Sequence, residues 1–407
     1  MLRGENRIIT NFRGGYNQCV AIYLSLALVV IGFFGITAAR IVLTLYALEL
    51  GASAAVVGAL GGVFYIFPVL LSWPVGISAD KRGPRPLLFA GGISATVALL
   101  LPYFVREIPA FFAAAALSGL SLAFFHVTLQ NLVGVLSKPE DRPRNFSNFS
   151  LAGAVSNFLG SLAAGFAIDL AGHAVACVFI AAVSLTGLVL LIVCGQVLPD
   201  APPPAPAKLE PKVSAAGGAQ ADKRADKRAM WGTLAASGLV QLGTDIFQFF
   251  LPIYGHSIGL SASAIGASVA AFSGASFVVR LFLAAMVRRW KAEALLAGAF
   301  YIGAAGCAMI PWIRDAFLLC VASTLFGLGM GIGTPLTVML MFSRSAQGRS
   351  GRALGLRLTS NNIVRLTGPM AFGVAAVVLG LLSVFWINAL LMGVGGVYAQ
   401  WRARRRT

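Results

Sequence analysis

Five ionisable side chains lie deep inside long apolar runs of this 407-residue chain: Arg40, His126, Asp245, Arg280 and Arg365. Such groups are costly away from water, and where they persist they mark functional positions. Asp245 is the one acid well within a run, because Glu49 and Asp169 stand at run ends. A lone carboxylate there has two uses: it pairs permanently with an arginine such as Arg40 or Arg365, or it takes up and releases a proton. His126, with Gln130 one turn on, has the chemistry of a proton relay or a ligand donor, and equally that of a packed histidine. Guanidinium is the preferred fork for carboxylate and phosphate. Three arginines against one aspartate leave the set net positive and incline it toward an anionic or zwitterionic organic ligand. Gln241, Gln248 and Asn361 stand one helical turn from Asp245 or Arg365 and add hydrogen-bonding capacity. Arg280 and Arg365 each lie about 10 Å from an end of their runs, within snorkelling reach of an interface.

Other chemistries find no support. The three histidines are scattered without metal-ligand spacing, and there is no Walker loop. The glycine series Gly327, Gly329, Gly331, Gly333 sits within an apolar run with no strand before it, so close helix packing explains it better than dinucleotide binding. The five cysteines form no CxxC pair and read as small packing residues. No cofactor is expected, and no enzyme activity.

The elements that must position these residues follow from composition. Hydrophobic residues make up 58% of the chain and charged residues 11%, against about 25% charged in soluble domains. Crossing a bilayer takes roughly 20 apolar residues. About twelve such runs are present, at 19–48, 53–75, 87–105, 109–136, 148–169, 172–196, 231–256, 261–287, 292–312, 316–342, 358–380 and 382–400. The net charge of +17 would suggest nucleic acid in a soluble protein, but its distribution excludes that. In a twelve-span arrangement, 26 of the 31 basic residues fall on one side, among them Lys208–Arg228 and Arg344–Arg357, and only Arg106 and Arg314 on the other. That asymmetry places both termini in the cytoplasm.

Residues 197–229, with Pro202-Pro203-Pro204 and a doubled Ala-Asp-Lys-Arg, read as a flexible cytoplasmic linker. It separates an N-terminal six-helix bundle (1–196) from a C-terminal one (230–407). The bundles match at a constant offset of 208 residues. Gly51-x-Ser53-x4-Gly58 aligns with Gly259-x-Ser261-x4-Gly266, Gly119 with Gly327, Gly160 with Gly368 and Gly165 with Gly373. Thr37 is then the partner of Asp245, Arg40 of Gln248 and Asn157 of Arg365. Parallel six-span repeats imply a pseudo-two-fold axis along the membrane normal and a binding site between the halves.

At the end of the second run stands Gly76-Ile77-Ser78-Ala79-Asp80-Lys81-Arg82-Gly83-Pro84-Arg85. It resembles the loop 2–3 signature of the major facilitator superfamily, Gly-x-x-x-Asp-Arg/Lys-x-Gly-Arg/Lys-Arg/Lys, with Pro84 at one basic position. The resemblance implies an all-α membrane fold of twelve helices in two pseudo-symmetric bundles, with helices one, four, seven and ten lining a central cavity. Gly76, Asp80, Lys81, Gly83 and Arg85 would then form a cytoplasmic gate. At the repeat positions Arg288 replaces Asp80 and Glu293 replaces Arg85, an acid–base pair of inverted sign. Arg280 matches a position common across the superfamily, which binds carboxylate in the organic-anion branches and is structural elsewhere. The Gly-Pro element of the family's exporters is absent from span five and appears in span eleven as Gly368-Pro369. The implied function is secondary active transport of a small organic compound by alternating access, proton-coupled and in the direction of export, by a monomer in a bacterial inner membrane. An organic-anion symporter or exchanger, or a lipid flippase, is the alternative. Partners would be the solute, protons and the bilayer, with no nucleic acid.

Overall fold

The computed structural model describes residues 2–137, 141–198, 220–344 and 350–404. They form helices and turns, with no strand among the described residues. The N-terminal half comprises α1 (Leu2–Glu49), α2 (Ala54–Val63), α3 (Ile66–Arg82), α4 (Arg85–Phe104), α5 (Ile108–Leu136) and α6 (Arg142–Cys194). The C-terminal half comprises α7 (Gln220–Ser257), α8 (Ala262–Arg289), α9 (Ala292–Met309), α10 (Ala316–Gly331), α11 (Gly333–Arg344), α12 (Ser350–Leu379) and α13 (Leu381–Arg404).

Eleven stretches among the described residues are long and apolar enough to cross a membrane. One of them, 144–197, is 54 residues long and is interrupted at Gly172, whose φ of 78° and ψ of 165° end one helix and begin another. Each part exceeds the roughly 20 residues of a crossing. Two passes are themselves broken: α2 and α3 meet at Phe64–Tyr65, and α10 and α11 at Ile332. Large apolar side chains such as Phe104, Leu170, Val193 and Val378 point outward fully exposed, the surface a bilayer covers. The protein is a multi-pass integral membrane protein.

Two expected boundaries move. α1 continues as helix back through the basic N-terminal segment to Leu2, where a span beginning at 19 was expected. α7 begins at Gln220 and so takes in the last ten residues of the expected linker; residues 199–219 of that linker lie outside the described residues.

The repeat has a physical basis at each copy of Gly-x-Ser-x4-Gly. Gly51 and Gly259 adopt positive φ, 82° and 78°, which a side chain would strain. Each closes its helix with the same pair of bonds: Gly51 N to Leu48 O and Ala52 N to Ala47 O, matched by Gly259 N to His256 O and Leu260 N to Gly255 O. Ser53 and Ser261 then cap α2 and α8 by accepting from Val56 N and Ala264 N. The third residue of the motif faces the opposite half. A Cβ on Gly58 would stand 2.8 Å from the Gly373 Cα of α12, and one on Gly266 would stand 3.1 Å from the Gly165 Cα of α6. Both crossings lie at the end of the molecule away from the basic connections, here termed the far end. There Asp169 of α6 also accepts from the first N–H groups of α8, Ala262 N at 2.9 Å and Ser263 N at 2.8 Å.

Candidate functional site

The centre of the molecule is built from repeat-related positions. Arg40 on α1 donates through Nη1 to Gln248 Oε1 on α7 at 2.7 Å, and these two residues are 208 positions apart. The pseudo-two-fold axis therefore passes beside this bond, and the two halves touch at their equivalent residues. Arg40 Nη2 donates to the Tyr65 hydroxyl at 3.0 Å. The Arg40 guanidinium also faces the Phe249 ring, 5.2 Å from its centroid. Its Nε is buried without a partner.

One further pairing obeys the repeat and changes its charge. In the N-terminal half Thr37 donates to Asn157 Oδ1 at 2.6 Å. In the C-terminal half the same two positions are Asp245 and Arg365, which form an ion pair of 3.4 Å. Gln241, one turn before Asp245, donates to the same carboxylate oxygen at 2.8 Å. Asp245 is buried, 3% exposed. The Arg365 guanidinium stands 5.4 Å from the centre of the Tyr65 ring, so this tyrosine lies between two cations. Tyr65 reaches that place because the helix breaks there: with φ −107° and ψ 0° it begins α3, whose first turn holds Pro68. Of the two guanidinium groups only Arg365 pairs with the carboxylate, leaving the cluster one positive charge in excess. Beside it Thr37, Arg40, Asn157, Ser161, Gln248 and Ser273 line a narrow cleft between the halves.

Arg40, Gln241, Asp245, Gln248 and Arg365 are therefore brought together. Asn361 lies one turn from Arg365 on α12 and accepts from Ser237 on α7 at 3.2 Å. His126 and Gln130 lie one turn apart on α5 and form none of these hydrogen bonds. The His126 ring stacks on Phe33 at 5.8 Å and meets Phe149 edge-on at 6.1 Å, about two turns along α1 from Arg40. Arg280 also stands apart: its Nε donates to Gly331 O at 2.8 Å, the last carbonyl of α10, where positive charge is favoured. Its Nη1 reaches Ser150 Oγ of the other half at 3.5 Å. The glycine series in this run is thereby both a close-packing surface and a helix break.

At the basic end Gly83 takes a φ of 79° and closes α3. Arg85 donates to Gln196 O at 2.8 Å and Leu198 O at 2.6 Å, beyond the end of α6. Gly76 is half-buried and Lys81 exposed, while the Asp80 side chain lies outside the described residues. Arg288 is exposed in the last turn of α8, and Glu293 occupies the first turn of α9. Sequence reasoning missed Tyr65, Ser237 and Arg357. Arg357 was grouped with the basic anchors of the loop; it is instead buried on α12, 7% exposed, and donates to Ser237 Oγ at 3.1 Å. The signal was its spacing, since 357, 361 and 365 fall on one helical stripe.

A sequence model described as Major Facilitator Superfamily matches residues 24–317 and 233–407. No curated protein matches the chain. Among solved structures, a mutant of the nucleoside transporter NupG superposes with a TM-score of 0.75 at 14% identity, over 93% of this chain and 99% of that one. A mutant peptide transporter POT in complex with sulfate gives 0.76 at 15% identity, over 94% of each chain. A POT family transporter in complex with a thioalcohol-conjugated peptide gives 0.74 at 12% identity, over 92% and 94%. These similarities establish the fold.

Proposed function

This chain belongs to the Major Facilitator Superfamily, and from that premise we propose that it is a proton-coupled secondary transporter of a small organic solute bearing an acidic group. The observation that carries the reading is the charge imbalance at the pseudo-two-fold axis: Arg40 and Arg365 against Asp245 alone. Burying a cation without a counter-charge is unfavourable, so a solute carboxylate or phosphate completes the cluster. The aromatic faces of Tyr65 and Phe249 next to the guanidinium groups favour an apolar or aromatic body on that solute.

Coupling follows from the same pair. A proton on the Asp245 carboxylate removes its attraction for Arg365 and frees that guanidinium for the solute. One acid group and one proton then cross together with no net charge. The Arg40–Gln248 bond joins the halves beside the pseudo-two-fold axis, so solute that takes over Arg40 also releases a bond holding the halves together. Because proton and solute cross in the same direction in this scheme, an inward proton gradient drives uptake; export, the direction implied by the family resemblance, would need an outward solute gradient larger than the proton gradient.

Arg40→Gln tests the assignment of the acid-binding group. In proteoliposomes the native protein should prefer an acidic solute to its neutral amide analogue. The variant should lose that preference, with the half-saturating concentration for the acid rising about tenfold or more, in line with one charge-assisted bond of ~1.5–3 kcal/mol. An unchanged preference would remove Arg40 from the site.

A further inference from the structure

We propose that Arg357, Ser237 and Asn361 form a second anion-binding position, on the seam between α7 and α12 toward the basic end from the Asp245–Arg365 pair. Arg357 is more than nine-tenths buried. Its Nη1 donates to the Ser237 hydroxyl at 3.1 Å, which in turn donates to Asn361 Oδ1 at 3.2 Å. Its Nε is buried with no partner at all. No described carboxylate forms an ion pair with it, and the sequence from 341 to 361 contains no acid. The nearest preceding acid on α7 is Asp226, eleven residues or roughly 16 Å of helix before Ser237. The flanking charges in the sequence of α12, Arg352 and Arg365, are both of like sign and make the burial costlier.

A guanidinium held this way needs an anion. The groups around it are those that would bind one: an unused Nε, a serine hydroxyl, and an asparagine whose oxygen is engaged and whose amide N–H groups remain to donate. The ligand class is a carboxylate or phosphate-type oxoanion, either the acid group of a solute on its way to Arg40 or a free inorganic anion. Arg357 and Arg365, roughly 12 Å apart along one helix stripe, would act as successive cationic positions for it. The inference rests on reading the central cluster as a site for acidic solutes, but its test needs no transport.

The test uses the full-length protein in detergent and follows the thermal unfolding midpoint against inorganic phosphate, with ionic strength held constant by potassium chloride. Arg40→Gln weakens the central position, and the part of the surviving phosphate-dependent rise that depends on Arg357 reports the second one. Adding Arg357→Gln should weaken that remaining response at least tenfold, and adding Arg357→Lys should preserve most of it. Ser237→Ala, a milder change, should weaken it about threefold. An Arg40→Gln, Arg357→Gln protein that titrates like Arg40→Gln alone would overturn the proposal, as would a native protein with no phosphate response. Benzoate in place of phosphate separates the sources: sensitivity of both anions to Arg357→Gln indicates solute acid groups, and sensitivity of phosphate alone indicates a free inorganic anion. A native protein that moves no acidic solute but shows this Arg357-dependent response would retain the site and refute the transport reading.

Discussion

Asp245→Asn should uncouple the protein from a pH gradient while leaving exchange of solute for solute intact. Asparagine keeps the shape of a protonated carboxyl and its bond with Gln241, but it can neither take up a proton nor attract Arg365. If one proton crosses with each solute, a gradient of one pH unit supplies about 1.4 kcal/mol, enough for about tenfold accumulation. In the variant that ratio should fall to unity. Counterflow of labelled against unlabelled solute, which needs no proton, should remain within a fewfold of native. Removing one partner of a buried pair also carries a stability cost of roughly 3–5 kcal/mol. Asp245→Asn with Arg365→Gln should therefore be more stable than Asp245→Asn alone, a comparison that separates coupling from folding. Undiminished accumulation in Asp245→Asn would remove the carboxylate as the proton carrier.

Gly266→Val should jam the conformational cycle. The glycine lets α8 approach α6 so closely that a Cβ there would meet Ser161 O at 2.5 Å and the Gly165 Cα at 3.1 Å. Both neighbours are backbone and cannot swing aside. Overpacking of this kind costs about 1–3 kcal/mol, but only in the state where the far end is closed. A differential penalty of ~2 kcal/mol shifts the balance between two states by roughly thirtyfold. Transport should fall at least tenfold in a protein that still purifies as a folded species. In a background without native cysteines, Ser263→Cys, next to the Asp169 contact, should label faster with an impermeant thiol reagent when Gly266→Val is present. Normal flux and unchanged labelling would mean that the far-end crossing plays no part in the cycle.

Much of this arrangement was legible because the chain contains it twice. The offset of 208 that aligned Gly51-x-Ser53 with Gly259-x-Ser261 also relates Arg40 to Gln248, which touch, and Thr37–Asn157 to Asp245–Arg365, which pair at the same repeat positions with different charge. Periodicity and composition were enough for helices, because a span is defined by its length and apolarity alone. What they do not carry is rotation about each helix axis. Tyr65 was invisible for that reason: an aromatic in an apolar run looks like packing until a broken helix turns its hydroxyl onto Arg40. Arg357 looked like one more basic anchor because α12 begins at Ser350, before the apolar run does. His126 had the chemistry of a relay, but its place between Phe33 and Phe149 depends on how α5 is turned against α1. The break at Ile332 was hidden inside a glycine series that close packing alone seemed to explain.

The central claim is that the excess positive charge on the pseudo-two-fold axis selects an acidic solute and that a proton balances it. The most direct measurement is flux of a matched panel (an aromatic acid, its neutral amide and an amine of the same size) into proteoliposomes under an imposed pH gradient. Accumulation of the acid, driven by the gradient, accompanied by proton movement and abolished when the gradient is collapsed, is the predicted result. Preference for the amine, or accumulation of the acid indifferent to the gradient, would contradict the account.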